Sequence, residues 1–459
     1  MDVCLINTSK VNLGTRYISS VLKEKGYEVG LAFFESKESE YSEEALKEIT
    51  KWVKDMDPDV LGVSSIECSR VKSMQILRRL SNMESIFLVA GGIDPTLNPQ
   101  QYEGLCNVVF RGEGEEFFCE IVEKVRKGED YRNLPNISYK EKDNTFRNPI
   151  ESCISELDKL PLPDYFGSKY FNLVDREVKE VEESETHKFL DSNEYMIRSG
   201  RGCPHNCSFC SNHLLREKFP SRKSYTRKMD PESIVRRTRE LSERVNVEHI
   251  ILSEEDFTFR NESEIEKFAK LWKEEVDLPF STEFSAHTLS EGKIESLADA
   301  GLVNGAMGVQ SGSNFINKQI FNRPVSIEEI FNATKILSKY CKSSENQMNP
   351  PRLDVIINNP FSKFEDLKKT LRLLKELPKP YFLRVFNLVF FEGSEIYKKA
   401  VKEGHIDKGI DKYDFGDFRT LKRGDSEKAL INLLIYLMNG LNTKKRYGKL
   451  PRPFLYFLI

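Results

Sequence analysis

One short loop constrains this chain more than any other stretch. Cys203, Cys207 and Cys210 stand at Cys-x-x-x-Cys-x-x-Cys spacing directly after the strand-like run 195–197. The loop is rich in Gly, Pro, Asn and Ser, which makes it poor core material, so its three thiols predict a metal site. Structural zinc takes four protein ligands, whereas a cubane iron–sulfur cluster held by three thiolates leaves one iron open for a substrate or cofactor.

A zinc site is the alternative interpretation of this loop. His205, His213 or a distant cysteine could complete it, although zinc patterns usually carry paired Cys or Cys/His halves. The other six cysteines have no motif spacing and predict reduced, mostly buried thiols of an intracellular protein; they are Cys4, Cys68, Cys106, Cys119, Cys153 and Cys341. An oxygen-sensitive cluster predicts a cytoplasmic location.

Composition excludes several classes of function. A net charge of −3 with 31% charged residues gives no electrostatic preference for nucleic acid or membranes. The first residues show no basic region followed by a long apolar segment, so we expect no secretory signal. No apolar run approaches the ~18 residues of a membrane-spanning helix.

The first 133 residues alternate strand and helix signals. Short uninterrupted apolar runs separated by amphipathic helices predict a doubly wound parallel α/β sheet with a Rossmann-like fold. The predicted strands are 3–6, 29–34, 60–63, 86–90 and 108–110. A ligand should bind beyond their carboxyl ends.

The stretch 134–193 is polar, charged and rich in Pro, and predicts an interdomain linker. From 194 to 400 the alternation resumes with six predicted βα units, too few for a closed eightfold barrel, which favours a partial (β/α)6 barrel. Its strands are 195–197, 249–252, 280–284, 306–309, 353–357 and 383–390. Residues 401–459 predict a small helical region with an apolar helix at 429–438 and an aromatic tail at 453–459, which could cap the barrel, a partner chain or a membrane surface.

The cysteine loop, including Phe209 before its last cysteine, resembles the signature of the radical S-adenosylmethionine (radical SAM) family. The resemblance implies that Cys203, Cys207 and Cys210 hold a 4Fe-4S cluster whose fourth iron binds S-adenosylmethionine (SAM). It also implies reductive cleavage of SAM to a 5′-deoxyadenosyl radical, with electrons from a one-electron donor such as a flavodoxin or ferredoxin.

The segment 308–313 resembles the family's Gly-Ile-Glu-Ser-Gly-Ser element, which lines the SAM pocket. Gln310 replaces the usual Glu there, although an amide can still form hydrogen bonds. The expected SAM contacts are therefore Phe209, Ser253, Glu255, Gln310 and Ser311. The acidic run 254–256 is equally consistent with turn and helix-start chemistry.

The order of elements over residues 1–132 resembles the cobalamin-binding domain that precedes the barrel in one branch of the family. The residues that would contact cobalamin lie at strand ends and turns: Asn7, Leu13, Gly14, Ser64, Ser65, Gly91, Gly92, Arg111, Gly112 and Glu113. The Asp-x-His-x-x-Gly motif is absent, so cobalt would lack a histidine ligand from this domain. Relatives often carry Pro and His after the paired glycines, where this chain has Ile93 and Asp94.

These features predict a cobalamin-dependent radical SAM enzyme that methylates an unactivated carbon or phosphorus of a small-molecule or peptide substrate. The alternatives are a cyclase, rearrangement or oxidation enzyme with the same cofactors, an RNA methylthiotransferase, and a non-catalytic cobalamin or metal sensor. The methylthiotransferase would need further cluster cysteines and an RNA-binding module, and we expect no nucleic-acid partner.

Overall fold

The computed structural model describes residues 1–9, 12–36, 38–151, 154–181, 193–221, 225–341 and 348–407, together with residues 432 and 435. The chain divides into two compact units. Unit one comprises Met1–Gly202 and Leu214–Glu248, and unit two comprises Cys203–His213 and His249–Ile459. The predicted aromatic tail, and the predicted C-terminal helix apart from residues 432 and 435, lie outside the described residues.

Unit one begins with five βα elements, as the sequence predicts. Its first strands are β1 (Val3–Asn7), β2 (Val29–Phe33), β3 (Val60–Ser64), β4 (Phe87–Gly91) and β5 (Val108–Phe110). The helices are α1 (Leu13–Glu24), α2 (Glu43–Met56), α3 (Arg70–Leu80), α4 (Ile93–Leu97) and α5 (Phe117–Lys127). The Asn12 and Ser42 side chains cap α1 and α2 by accepting backbone N–H bonds from Thr15 and Ala45.

The five parallel strands lie in the order β5-β4-β3-β1-β2, which confirms the doubly wound sheet. Successive residues of β1 pack on opposite faces: Val3 and Leu5 belong to one core cluster, and Cys4 and Ile6 to the other. This period of two explains the uninterrupted apolar runs, since a strand covered by helices on both faces needs apolar residues at every position.

The stretch predicted as a linker adds further strands to this sheet. They are β6 (Ile137–Glu141), β7 (Asn144–Arg147), β8 (Lys169–Val174) and β9 (Glu177–Val181). The sheet therefore has nine strands among the described residues, with β7 and β6 beyond β5 and β8 and β9 beyond β2. The outermost strands, β7 and β9, give weak sequence signals, because only one side of each is paired and most of their residues are polar.

The Leu-Pro-Leu-Pro-Asp-Tyr segment, 160–165, is held against α1. The buried Asp164 carboxylate accepts hydrogen bonds from Ser19 at 2.5 Å and Tyr170 at 2.8 Å. The Arg16 guanidinium donates to the Asp164 carbonyl at 2.6 Å. These hydrogen bonds hold the motif against α1 within unit one.

The rest of unit one is strand β10 (Glu194–Arg198), the antiparallel pair β11 (Gly200–Arg201) and β12 (Arg227–Lys228), and helix α7 (Pro231–Arg244). Helix α6 (Ser211–Lys218) follows the cysteine loop.

Unit two carries a parallel sheet in sequential order. Its strands are β13 (His249–Ser253), β14 (Phe280–Phe284), β15 (Leu302–Gln310), β16 (Arg352–Ile357) and β17 (Phe382–Asn387). The helices are α8 (Glu262–Glu275), α9 (Glu291–Asp299), α10 (Ile327–Tyr340), α11 (Phe364–Glu376) and α12 (Glu395–Lys402). Together with β10, every strand predicted for the second βα series is present.

Candidate functional site

The cysteine loop is anchored in unit two through Ser208. Its N–H donates to the Phe321 carbonyl at 2.8 Å, and its hydroxyl donates to the Ile320 carbonyl at 2.6 Å. The Ser208 carbonyl in turn accepts the Ile396 N–H at 3.3 Å. Backbone bonds from two separate segments therefore fix the middle of the loop between Cys207 and Cys210.

An apolar contact supports the same anchor. The Phe209 ring meets the Phe321 ring edge to face, with centroids 4.8 Å apart. Around them pack Ile316, Ile320, Leu388 and Ile396. The aromatic residue before the last cysteine, which the sequence predicts as a SAM contact, thus also holds the loop in place.

The three thiols are partly exposed and close enough to influence one another. Burial raises the pKa of Cys203 and of Cys210 to about 12, and the charges of Glu255 and the other loop thiols add to the effect. Thiols in this setting need a positive metal centre to become thiolates. Among the described residues, no three His, Cys, Asp or Glu side chains surround a point at single-ion distance.

Both histidines proposed for the zinc alternative form a hydrogen bond through one ring nitrogen. The His213 Nδ1–H donates to the Cys210 carbonyl at 2.6 Å. The His205 Nε2 lies 3.3 Å from the Asp256 carboxylate.

The three carboxylates of the acidic run after β13 have different surroundings. Glu254 forms a buried ion pair with Arg260, and Asp256 accepts hydrogen bonds from Thr258 and Thr288 at 2.8 and 2.9 Å. Glu255 is exposed, and its charge raises the pKa of the Cys203 and Cys210 thiols. Ser253, at the end of β13, is half-buried. Glu255 is thus the exposed carboxylate of the run, whereas the buried Asp256 contacts His205 of the cysteine loop.

The residues after β15 are placed differently from one another. Gln310 has a left-handed φ of 61° and is half-buried. Ser311 is buried, with its hydroxyl 3.3 Å from the Thr370 hydroxyl, and the Gly312 N–H donates to that same hydroxyl at 2.8 Å. The Ser-Gly turn therefore packs on α11, while Gln310 stays at the strand end.

Sequence reasoning assigned no role to Arg323, which the structure places beside the loop. Its buried guanidinium donates to the Gly308 carbonyl at 2.8 Å. Burial lowers the pKa of Arg323, whereas the charge of Cys207 acts in the opposite direction. The Asn322-Arg-Pro324 segment was part of the family resemblance, so the signal was present although its use was not evident.

Three charged residues on one face of the unit-two sheet were also missed. Arg384 pairs with Asp354 in a bidentate arrangement at 2.7 and 2.7 Å. Glu283 pairs with Ala306 of β15, and Asp354 pairs with Gly308 of the same strand. Because Ala306 and Gly308 are two residues apart, Glu283 and Asp354 lie on the same face of the sheet. Burial and the charges of Glu255 and Asp354 raise the pKa of Glu283 to about 7. Glutamate is unusual in an otherwise buried strand, and that was the available signal.

In unit one, the predicted cobalamin residues meet at the carboxyl edge of the sheet. Asn7 is in register with Ser64, and Ser64 with Gly91. The strand order reverses between β1 and β3, the switch point where open α/β sheets bind ligands. Leu13 and Gly14 open α1 near this edge.

Several of these side chains are already bonded within unit one. Asn7 is fully buried and accepts the Thr15 hydroxyl at 2.9 Å. The Ser65 hydroxyl lies 2.8 Å from that of Tyr102, which also donates to Asp94. Arg70 pairs with the fully buried Asp94. Asp94, found where relatives often carry Pro and His, is therefore the centre of a buried polar network.

Two apolar side chains are exposed next to this network. Val71 is 42% exposed and Ile93 is 41% exposed, each adjacent in sequence to a member of the Arg70–Asp94 pair. A Cβ added to Gly91 would meet only Phe110 within 4 Å, at 3.8 Å, so the strand end is open. Gly92 has a φ of 110° and passes so close to Ser65 that a side chain would not fit.

The turn after β5 is occupied by protein contacts. Arg111 donates to the carbonyls of Ile137 and Asn148, and Gly112 has a φ of 100°. The Glu113 carboxylate accepts two bonds from Arg227, at 2.6 and 2.8 Å. These three residues stay predicted cobalamin contacts, but their polar groups are bonded within unit one.

Family comparisons agree with both halves of this description. The model of the Radical SAM superfamily matches residues 197–374, and that of the B12 binding domain matches residues 8–122. The chain belongs to the cobalamin-binding radical SAM family. The membership confirms the predicted combination of 4Fe-4S cluster, SAM and cobalamin as the cofactor set of a radical SAM enzyme.

Relatives of this radical SAM protein include two named methyltransferases. "Uncharacterized methyltransferase PH0819" of Pyrococcus horikoshii is 23% identical over 381 residues, which span 82% of this chain and 76% of that protein. The cytidylyl-2-hydroxyethylphosphonate methyltransferase of Streptomyces wedmorensis is 21% identical over 452 residues, 86% of this chain and 78% of that protein.

A solved structure shares the fold. The radical SAM methyltransferase TsrM of Kitasatospora setae, with cobalamin and a 4Fe-4S cluster bound, superposes with a TM-score of 0.65 at 15% identity. The match covers 88% of this chain and 78% of that one.

No helix among the described residues of this chain is long and apolar enough to cross a membrane.

Proposed function

We propose that the protein is a cobalamin-dependent radical SAM methyltransferase in which Cys203, Cys207 and Cys210 hold the cluster. The observation that carries this proposal is the presence, in one chain, of an anchored three-cysteine loop and of a doubly wound sheet in which the helices after β3 and β4 carry the exposed Val71 and Ile93 in their first turns. When bound, the cluster and SAM supply one-electron bond cleavage, and cobalamin supplies a methyl carrier.

The chain's own residues have separate tasks in this proposal. Ser208 and Phe321 hold the cysteine loop rigid, which keeps the three thiolates in position for a preformed cluster. Glu255 and Gln310 border the space next to the loop and offer a carboxylate and an amide to the polar groups of SAM. Arg323 supplies a buried positive charge beside Cys207, which stabilises a negatively charged cluster.

The substrate would lie against the sheet face that carries Glu283, Asp354 and Arg384. These three residues present two carboxyl groups and a guanidinium at neighbouring positions, so we expect a polar small molecule or peptide. A flavodoxin or ferredoxin would supply the electron.

The test is anaerobic reconstitution with iron, sulfide and hydroxocobalamin, followed by metal analysis and by incubation with a one-electron reductant such as dithionite and with SAM whose methyl group carries deuterium. We expect about four irons and one cobalt per chain, together with deuterated methylcobalamin, S-adenosylhomocysteine and 5′-deoxyadenosine. Cys207→Ala should lose the iron and the 5′-deoxyadenosine, whereas Cys341→Ala, at a cysteine outside the loop, should keep both.

Three outcomes would count against the proposal in different ways. Zinc in place of iron after anaerobic reconstitution would reject the radical chemistry. Iron without cobalt would reject the cobalamin part alone. Both metals with 5′-deoxyadenosine but no S-adenosylhomocysteine would favour a cyclase or rearrangement over methyl transfer.

A further inference from the structure

Two glutamates after β5 and two arginines of the paired strands β11 and β12 form a largely buried ion-pair network in unit one. We call Glu113, Glu115, Arg201 and Arg227 the Glu–Arg network. Arg201 pairs with Glu115, and it also lies 3.4 Å from Glu113. Arg227 binds both carboxylate oxygens of Glu113, at 2.6 and 2.8 Å. The Ile154 N–H adds a further bond to Glu113 at 2.9 Å.

The network is buried, so its geometry is tightly determined. The exposed side-chain fraction is 4% for Glu115, 12% for Arg201 and 8% for Arg227. Buried charges are tolerated only when they are paired, and removal of one partner leaves the other uncompensated. Burial raises the pKa of Glu113, but hydrogen bonds from Arg227 and the charge of Arg201 hold it below its ordinary value. Each carboxylate therefore fixes the position of a specific guanidinium.

Arg201 is the last residue of β11, and Gly202 and Cys203 follow it directly. Gly202 has a φ of 76°, and an added Cβ would lie 2.3 Å from the Tyr225 carbonyl oxygen. The Tyr17 ring covers the Arg201 guanidinium at 5.7 Å. The chain thus reaches the first cysteine from a residue held by an ion pair, an aromatic ring and a backbone turn that only glycine tolerates.

We propose that Glu115, acting through Arg201, is a positioning residue for the cysteine loop, and that Glu113 supports it through Arg201 and Arg227. The Arg-Gly-Glu-Gly-Glu turn, 111–115, would then serve the iron–sulfur cluster, although it stands at the carboxyl end of a cobalamin-domain strand. This inference rests on the proposed function, because it assumes that Cys203 is a cluster ligand.

The test compares Glu115→Gln with Glu116→Gln in the fully reconstituted protein. Glu116 is the exposed next residue, so its variant is a matched control for loss of one negative charge. A chelator is added anaerobically, and cluster absorbance is followed with time. For Glu115→Gln we expect cluster loss at least about tenfold faster than in the control, as for other residues that orient metal ligands. The affinity for hydroxocobalamin should stay unchanged.

Two further measurements separate positioning from a general loss of stability. The electron paramagnetic resonance spectrum of the reduced cluster, with and without SAM, should change in Glu115→Gln and return towards wild type in Glu115→Asp, which keeps the charge. If Glu115→Gln fails to fold, Glu113→Gln retains the Glu115–Arg201 pair and should show the same change to a smaller degree.

The inference is overturned if Glu115→Gln and Glu116→Gln lose their clusters at the same rate with identical spectra. It is also overturned if Glu115→Gln or Glu113→Gln weakens cobalamin binding while the cluster is unaffected, since the turn would then be a direct cobalamin contact. Failure of the wild-type chain to take up iron at all would reject the proposed function itself, a result distinguishable from either of these.

Discussion

Phe321→Ala should loosen the attachment of the cysteine loop to the rest of unit two. The Phe321 side chain is fully buried, it meets the Phe209 ring at 4.8 Å, and its carbonyl accepts the Ser208 N–H. The substitution removes the centre of the apolar cluster that includes Ile320 and Leu388. Both the unfolding free energy of the unit and the iron content of the reconstituted protein should therefore fall.

The magnitude follows from the burial. Truncation of a buried Phe to Ala typically costs about 3–5 kcal/mol of unfolding free energy. The lost ring pair accounts for about 0.5–1.5 kcal/mol of that total. At about 2–4 °C per kcal/mol for a unit of this size, Tm should fall by roughly 6–20 °C.

The assay is urea unfolding and thermal melting of the reconstituted protein, with iron content measured in parallel. Phe315→Ala is the matched control, because Phe315 lies six residues earlier and is 50% exposed. We expect it to change stability by less than about 0.5 kcal/mol. Equal melting temperatures and equal iron contents for the two variants would show that Phe321 does not anchor the loop.

Three further predictions concern other parts of the molecule. The pKa of Glu283 is raised from an ordinary 4.5 to about 7, so the folded chain keeps this proton at pH values where the unfolded chain has lost it. The free energy of unfolding should therefore fall as pH rises from about 4.5 to about 7. Glu283→Gln should flatten that dependence in urea midpoints measured across the same interval, and an unaltered slope would contradict it. Tyr102→Phe removes a donor to buried Asp94 and should cost about 1–3 kcal/mol in urea unfolding; a neutral result would mean that the hydroxyl bond carries no net stability. Gly312→Ala would place a Cβ 2.4 Å from a Thr370 backbone atom and should cost about 1–3 kcal/mol or more, whereas Gly91→Ala, at an open strand end, should melt close to wild type.

The fold was predictable because its signals are local. Runs of apolar residues such as 60–63 and 86–90 could only be strands covered on both faces, and the structure places β3 and β4 there. Helix α2 was predictable because apolar residues between Ala45 and Val53 recur at helical spacing, which is also a local signal. Strands β6 to β9 were not predicted, since they lie in a polar, charged stretch without the uninterrupted apolar runs of β1 to β5.

The candidate site was predictable only in part. Three cysteines at fixed spacing form a local signal, so the cluster loop could be found from the sequence. The side chains around it come from several strands, and their orientation depends on register. Ser311 and Asn7 illustrate the difference: each stands at a predicted strand end, but each is bonded within its own unit, to Thr370 and to Thr15 respectively.

The sequence by itself determined the two series of βα units, the cysteine loop and the family, because these follow from spacing and periodicity along the chain. The tertiary structure decided which polar residues are committed to other protein groups, as for Glu113 with Arg227, and which stay at the strand ends, as for Glu255 and Gln310. The physical reason is that a buried charge needs a partner, and Glu113 and Arg227 are separated by 114 residues in sequence, a distance that only folding closes.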